Sequence, residues 1–456
     1  MGYAVSQIMI SPGTDAYDYF QYYAEKAKLL YNASLFRIRN IFTGYEKEYR
    51  AGNELTVFAE VSALMRSYPS IHVRRVISYQ HLEKLMRVTK NPDFFCGLPM
   101  QTAQAVVKSA VSDFKNWLSA LREYRKSPEK FLGRPQMPHY KKSNVTTYTI
   151  SNQDATLYPA EAGVRLKLPL TKLCIQMSHL TADVLLKEVK VKPYYGRFLL
   201  SLTLEEPDPV IDPDLPNICA VDFGTENFAA IVCTDQSSRL YKGGALLSKI
   251  QWFQKQRADR IGILTKGHPY QHVSSRYLTD LSYHHANFIK DQCHKISRDM
   301  ISFCIAHQVG TLVLGKNPLW KQSLCIGKKN TQKFVQMPVA YLCELITYKA
   351  ANAGIKVIEQ EESYTSKADI TAKDFMPVYG EDTTITFSGK RISRGLYRCL
   401  NGLVINADCN GAANILRKAF PDAWNNVTDY QFLATPEVYG FHELNPKSIP
   451  VKRIAA

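Results

Sequence analysis

The stretch NICAVDFGTENFAAIVCTD, residues 217–235, sets one carboxylate, Asp222, straight after an apolar run, then continues through Gly224 into a second run of strand formers. A carboxylate at the end of a buried strand is costly unless it binds something. Any group that shares a ligand with Asp222 must come from elsewhere in the chain.

Working outward from Asp222, the pattern is α/β. Strands are predicted at 218–223, 228–234 and 238–242, then a basic helix at 246–261 and a long helix over about 275–308. TLVLG, 311–315, is a further strand. VAYLCELITYKAANAG is a helix stopped by Gly354, IKVIEQEE (355–362) is a strand, and a last helix starts near NADCNGAANILRKAF. Three consecutive strands, with crossover helices feeding two more, build a mixed five-stranded sheet. The Pro/Asp-rich PDPVIDPDLPN, 207–217, marks its upstream boundary.

Before that boundary the chain changes character twice. From Tyr17 to about Phe42, and again from Thr102 to Tyr124, apolar residues recur at helical spacing, so 16–127 reads as a helical block. RKSPEKFLGRPQMPHYKK, 125–142, cannot be a helix interior. Its basic residues interleave with Phe131, Met137 and Tyr140, which favours a strip that binds nucleic-acid backbone over a plain linker. Short alternating runs over 145–206 suggest a small antiparallel barrel or sandwich. The tail after about 425 has no clear periodicity and is read as partly disordered.

With 456 residues the chain can bury at least two substantial cores. Its net charge of +16 gives a lasting attraction to polyphosphate without saying where it acts. No run of eighteen apolar residues and no signal peptide occur, so no membrane role is expected. The ten cysteines form no C-x-x-C pair and read as reduced core residues in a reducing compartment. His268, His272, His284, His285 and His294 read as packing or surface residues, since Pro269 denies the first two a common helical face.

In an open α/β sheet, ligands gather at the carboxyl ends of the central strands. Asp408, in INADCNGAANI, starts the final helix, and Gly411, Ala412 and Ala413 let that helix lie close to the sheet. It could equally be an ordinary N-terminal helix acid. The fourth strand offers Gly315 where a third acid would be expected, and the fifth ends in Glu361 and Glu362. Adjacent strands are about 4.8 Å apart, so Glu362 could reach across a glycine toward Asp222 and Asp408. The other reading of Glu359, Glu361 and Glu362 is a solvated strand end.

AVDFG, YTSK and DCNGAANI, in that order, resemble the three RuvC-type nuclease motifs of the TnpB (OrfB) proteins of bacterial insertion sequences, and GRPQMPHYKK resembles their basic Gly-Pro strip. The resemblance covers nearly the whole chain and is strongest over 217–420. Most members carry the second acid on the fourth strand. A subset shared with the Fanzor relatives has a glutamate three residues before Thr-Ser instead, which selects Glu362 over Glu361, the reserve. The family's four-cysteine zinc ribbon is reduced here to Cys399, so no structural zinc is expected and a metal-free insert is predicted. Its basic residues Lys390, Arg391, Arg394 and Arg398 either grip target DNA or form a solvated loop.

The resemblance implies a multidomain α+β chain with an RNase H-like (RuvC) nuclease domain. In that layout 1–15 and 128–212 form a β-barrel wedge domain and 16–127 a helical recognition domain. Residues 213–365 and 403–425 form the nuclease domain, 366–402 a target-nucleic-acid-binding insert, and 426–456 the tail. Three converging carboxylates repel one another unless cations neutralise them, and oxygen ligands select Mg²⁺ or Mn²⁺. Asp222 is expected to bridge two such ions, with Glu362 and Asp408 each holding one. Arg134, Lys141 and Lys142, with the insert's basic residues, are expected to hold backbone. The implied activity is RNA-guided cleavage of double-stranded DNA beside a short flanking motif, with a guide RNA as partner, in a prokaryotic cytoplasm and at the nucleoid when bound to DNA. Two alternatives are a nuclease-inactive guided repressor of the same descent and a cut-and-paste transposase.

Overall fold

The computed structural model describes residues 2–181, 184–208, 210–211, 214–266, 273–316, 337–377 and 385–445, and the chain divides into two compact units, Met1–Asp208 and Pro209–Ala456. Among the described residues, no helix is long and apolar enough to cross a membrane.

The first unit opens with strand β1 (Gly2–Ile10) and then a helical block: α1 (Asp15–Gly44), α2 (Asn53–Ser67), α3 (Tyr79–Val88) and α4 (Met100–Lys126). Thr14 caps α1 by accepting from the Tyr17 amide at 3.1 Å, and Asp15 and Asp18 in the first turn complement the helix dipole. Its buried stripe, including Phe20, Ala24, Ala27, Leu30, Ile38 and Ile41, packs in one core with Val106, Val107, Ala110 and Phe114 of α4.

Alternating burial then marks the β-domain. Strands β2 (Tyr148–Ser151), β6 (Leu185–Tyr194) and β7 (Arg197–Glu206) pair antiparallel with β1 in the order β1-β7-β6-β2. Strands β3 (Thr156–Pro159), β4 (Val164–Lys167) and β5 (Cys174–Met177) make a second antiparallel sheet. In β7 the burial alternates residue by residue, with Phe198, Leu200, Leu202 and Leu204 turned into the core. The basic strip 131–142 is an extended strap across α1 and α4. Trp117 donates to the Pro135 carbonyl, Asn32 exchanges hydrogen bonds with the Lys141 backbone, and Arg39 stacks over Tyr140.

The second unit is built on a six-stranded mixed sheet, β12-β11-β8-β9-β10-β16. Strands β8 (Asn217–Phe223), β9 (Asn227–Cys233) and β10 (Ser238–Lys242) form an antiparallel meander. After α5 (Gly244–Thr265) and α6 (Arg276–Ala306), β11 (Val309–Lys316) returns parallel to β8. After α7 (Val339–Asn352), β12 (Lys356–Glu361) lies parallel to β11. Gly354, at φ +75°, closes α7, with the Ile355 amide donating back to the Ala350 carbonyl at 2.8 Å.

The insert strands β13 (Lys390–Ser393) and β14 (Leu396–Arg398) form a small antiparallel sheet with β15 (Val404–Asn406), which leads into α8 (Ala407–Ala419). Two aspartates cross-link the start of this insert. Asp369, wholly buried, accepts from the Thr371 and Leu400 amides, and Asp374 from those of Asp369 and Ser388.

Two expectations need correction. The sheet has a sixth strand, β16 (Glu437–Tyr439), parallel to β10, and a short helix, α9 (Phe441–Leu444), follows it. Residues 426–445 are therefore ordered, whereas 446–456 lie outside the described residues, as do His268 and His272. Packing supplies the reason: Tyr430 and Leu433 are buried in the core under α8, beside a fully buried Trp424.

The sheet has two differently covered faces. Cys219, Val221, Phe223, Leu312 and Leu314 pack with residues of α5, α6 and α7. Ala220, Ala230 and Val313 pack on the other side with Ala412, Ala413, Ile415 and Leu416 of α8. Because side chains alternate along a strand, Asp222 and Gly315 belong to the α8 face, as Ala220 and Val313 do. Ile358 also packs on that face, and the same period carries it to Gln360 and Glu362.

Candidate functional site

Three carboxylates from distant parts of the second unit lie toward the α8 face, and Asp222 feels the charges of both Glu362 and Asp408. Asp222 is the penultimate residue of β8, opposite Ala230 of β9. Asp408 is the second residue of α8. Asn406 caps that helix, its side chain accepting from the Asp408 and Cys409 amides at 2.9 and 3.1 Å. Glu362 directly follows β12.

Two glycines make room for these acids. A Cβ on Gly411 would lie 2.5 Å from Asp222 Oδ2, so only a bare backbone lets α8 sit over that carboxylate. A Cβ on Gly315 would lie 3.0 Å from Glu362 Oε2, 2.7 Å from Ile415 Cδ1 and 3.1 Å from the Val221 carbonyl. The Glu362 carboxylate thus occupies the space over Gly315, on the strand next to Asp222.

The electrostatics are those of a site short of positive charge. Burial, then the neighbouring Glu362 and Asp408, pushes the Asp222 carboxyl well above the usual range. Burial, then Glu361, lifts Glu362 to about 7. Its Oε2 is sealed from solvent with no hydrogen-bond partner. Glu361 is in the opposite condition. Burial would raise its carboxyl, but hydrogen bonds from Lys418 and Ser363 outweigh that and hold it low.

Asp408 is the most fully engaged of the three. Asn227 donates to its Oδ2 at 2.6 Å, and Arg391 approaches its Oδ1 at 3.5 Å. Asn227 is 4% exposed, and its own Oδ1 is buried without a partner. Sequence reasoning passed over Asn227. The signal was present: an amide three residues after Gly224, opening a fully buried strand, faces the same cost as Asp222 unless it is satisfied.

The insert's basic residues are all exposed, but two of them turn inward. Arg391 pairs with Asp408, and Arg394 pairs with Glu226 at 2.6 Å, two residues after Gly224. Lys390 and Arg398 sit opposite each other across the β13–β14 ladder. In the first unit, Arg134, Lys141 and Lys142 lie exposed on the strap, with the Lys141 ammonium over the Tyr31 ring. The histidines of α6 pack as expected, His285 against Phe253 and His294 against Tyr341.

The donor set suits a hard cation. It consists of carboxylate oxygens, one of them buried and unpartnered, beside an unpartnered amide oxygen. Among the described residues, no group of three His, Cys, Asp or Glu side chains is arranged to hold a metal ion as it stands. Asp408 is turned instead to Asn227 and Arg391.

Two family models match the chain: OrfB_IS605, a probable transposase, over residues 201–320, and the Cas12f1-like TNB domain over residues 340–415. No curated protein matches it. Among solved structures, a Cas12f1–sgRNA–target DNA complex matches at 14% identity and TM-score 0.47, with 87% of this chain and 82% of that chain covered. A CRISPR-Cas12f ternary complex matches at 14% identity and TM-score 0.30, covering 87% and 81%. The C2c1 protein of Alicyclobacillus acidoterrestris with a single-guide RNA matches at 9% identity and TM-score 0.37, covering 88% and 70%.

Proposed function

We propose that this chain is an RNA-guided DNA endonuclease of the TnpB/OrfB type, the family that its two matched segments and its motifs resemble, and that its catalytic acids are Asp222, Glu362 and Asp408. The observation that carries this reading is the Glu362 carboxylate in the space above Gly315, its Oε2 sealed from solvent and unpartnered beside Asp222's strand. An idle carboxylate gains nothing from being buried there. Its position matches the rearranged glutamate of the Fanzor-like subset.

Two Mg²⁺ or Mn²⁺ ions bound by these acids would supply an activated water and charge stabilisation for the leaving oxygen of a phosphodiester. Asn227 orients Asp408 by its hydrogen bond, as a supporting residue does for a ligand. Gly315 and Gly411 leave space for Glu362 and Asp222. The strap residues Arg134, Lys141 and Lys142 hold guide or heteroduplex backbone, and Lys390 and Arg398 hold target strand. These contacts position nucleic acid and read no sequence. Recognition of a guide RNA and a DNA target rests on the family resemblance. Base pairing would supply most of the specificity and the protein would read a short flanking motif.

The test is cleavage of a matched target plasmid by protein purified with its own RNA, with and without Mg²⁺. Cutting that requires Mg²⁺, the RNA and a matched target is the expected result. Guided binding without cutting would replace this reading with that of an inactive repressor.

Arg391 carries a further expected outcome. Its pair with Asp408 is long and half exposed, so it contributes about 1 kcal/mol or less. Arg391→Ala should therefore leave the melting temperature nearly unchanged. It should strengthen Mn²⁺ binding by up to about fivefold, because a competing cation is removed from Asp408. Isothermal titration of the RNA-bound protein with Mn²⁺ measures this.

A further inference from the structure

Lys418 lies one residue from the end of α8, the helix that begins with Asp408. Ten residues of helix separate it from Asp408, about 15 Å, so Lys418 is far from Asp408's carboxylate. Its side chain is only 10% exposed, and all three ammonium protons have acceptors: Glu361 Oε2 at 2.5 Å, the Ser363 carbonyl at 3.1 Å and the Pro377 carbonyl at 3.3 Å. Two of these acceptors belong to the residues on either side of Glu362.

The rest of the turn completes the clamp. The Ser363 amide donates to Glu361 Oε1 at 2.6 Å, and the Thr365 hydroxyl donates to the Glu362 carbonyl at 2.8 Å. Tyr364 holds φ +66°, a left-handed conformation that a bulky residue keeps only when its surroundings enforce it. The Glu361 carboxylate, the Ser363 backbone and the Glu362 carbonyl are therefore fixed by hydrogen bonds, whereas the Oε2 of Glu362 has none. A buried ammonium costs free energy unless it is fully satisfied, so this one is committed to its three acceptors.

We propose that Lys418 is a positioning residue for Glu362. By tying α8 to both neighbours of the glutamate, it holds the carboxylate over Gly315, where it would meet a divalent ion together with Asp222. This inference rests on the proposed nuclease reading and adds a residue to it. It also assigns Glu361 the role of anchor for Lys418, which separates the tasks of two adjacent glutamates.

The experiment uses the full chain with its bound RNA. Mn²⁺ affinity is followed by electron paramagnetic resonance, cleavage as a function of Mg²⁺ concentration, and thermal melting without metal. Supporting partners of metal ligands are worth about 10- to 100-fold in metal affinity. Lys418→Met should thus weaken Mn²⁺ binding by roughly that factor and raise the Mg²⁺ concentration for half-maximal cutting in parallel. Lys418→Arg, which can still reach Glu361, should recover most of the loss. Glu361→Gln is the second probe should Lys418→Met not fold: it should weaken Mn²⁺ binding in the same direction, and adding it to Lys418→Met should cost little more. A purely structural role would lower the melting temperature and leave Mn²⁺ affinity and Mg²⁺ dependence untouched, and that result overturns the proposal. Glu362→Gln runs alongside as the control for the parent reading. If it cuts normally, the nuclease assignment of Glu362 fails. If it is dead while Lys418→Met and Glu361→Gln bind Mn²⁺ as the unaltered protein does, only the positioning role fails.

Discussion

Glu362→Gln should abolish Mg²⁺-dependent cleavage while RNA-dependent target binding survives. Loss of one carboxylate ligand is expected to lower the cleavage rate by about 10³-fold or more, equivalent to about 4 kcal/mol of lost transition-state stabilisation. The same substitution should stabilise the metal-free protein at alkaline pH. Burial raises this carboxyl to about 7 in the folded state against an ordinary value of 4.5. The folded chain therefore binds the proton more tightly than the unfolded chain, and stability falls as the pH rises from about 4.5 to about 7. A rise of this size corresponds to about 3 kcal/mol above pH 7. Asp222 adds a contribution of the same sign. Metal-free Glu362→Gln should thus melt higher than the unaltered protein at pH 8 and close to it at pH 4. Differential scanning calorimetry with chelator at both values checks this. A lower melting temperature at pH 8 would mean that Glu362 is paired in a way this arrangement does not contain.

Gly315→Ala should also damage cleavage, although it adds only one methyl group. The new Cβ would stand 2.7 Å from Ile415 Cδ1 and 3.1 Å from the Val221 carbonyl, both in the packed core. Ile415 Cδ1 and, at 3.0 Å, Glu362 Oε2 are both side-chain ends, and both must shift. The carboxylate would be pushed off the site. We expect about a 10²-fold loss of cutting, a steep rise in the Mg²⁺ requirement and about 1–3 kcal/mol of destabilisation. A Mg²⁺ titration of cutting, paired with a denaturant melt, separates the first two effects from the third. Cutting at the unaltered rate would show that Glu362 is not held where it stands here.

Much of this site is readable from local pattern. Asp222 betrays itself by ending an apolar run, and Glu362 by following a strand whose neighbour carries Gly315 where a side chain would block it. The strands around Asp222 lie within a residue or so of their predicted positions, because β-branched and small apolar residues there are bounded by turn formers. Readings that depend on tertiary partners fare differently. β16 is three residues long, EVY, and becomes a strand only because β10 offers it an edge; nothing in those residues announces it. Arg391 and Arg394 read as a basic strip for DNA. Their pairing with Asp408 and Glu226 depends on how the β13–β14 hairpin folds back over the sheet. Lys418 sits in an ordinary amphipathic pattern, ILRKAF, and its three acceptors come from segments about 40 to 60 residues earlier. Asp369 and Asp374 show the same limit. They cross-link the insert through backbone amides, a task that no spacing of side chains reveals.

The central claim is that Asp222, Glu362 and Asp408 share divalent ions. A crystal of the RNA- and DNA-bound protein soaked in Mn²⁺, with anomalous scattering recorded, tests it most directly. The predicted result is Mn²⁺ density within about 2.0–2.3 Å of carboxylate oxygens from all three residues, with Glu361 still on Lys418. Density shared only by Asp222 and Asp408, or drawn to Glu361 with Glu362 turned away, would contradict the account.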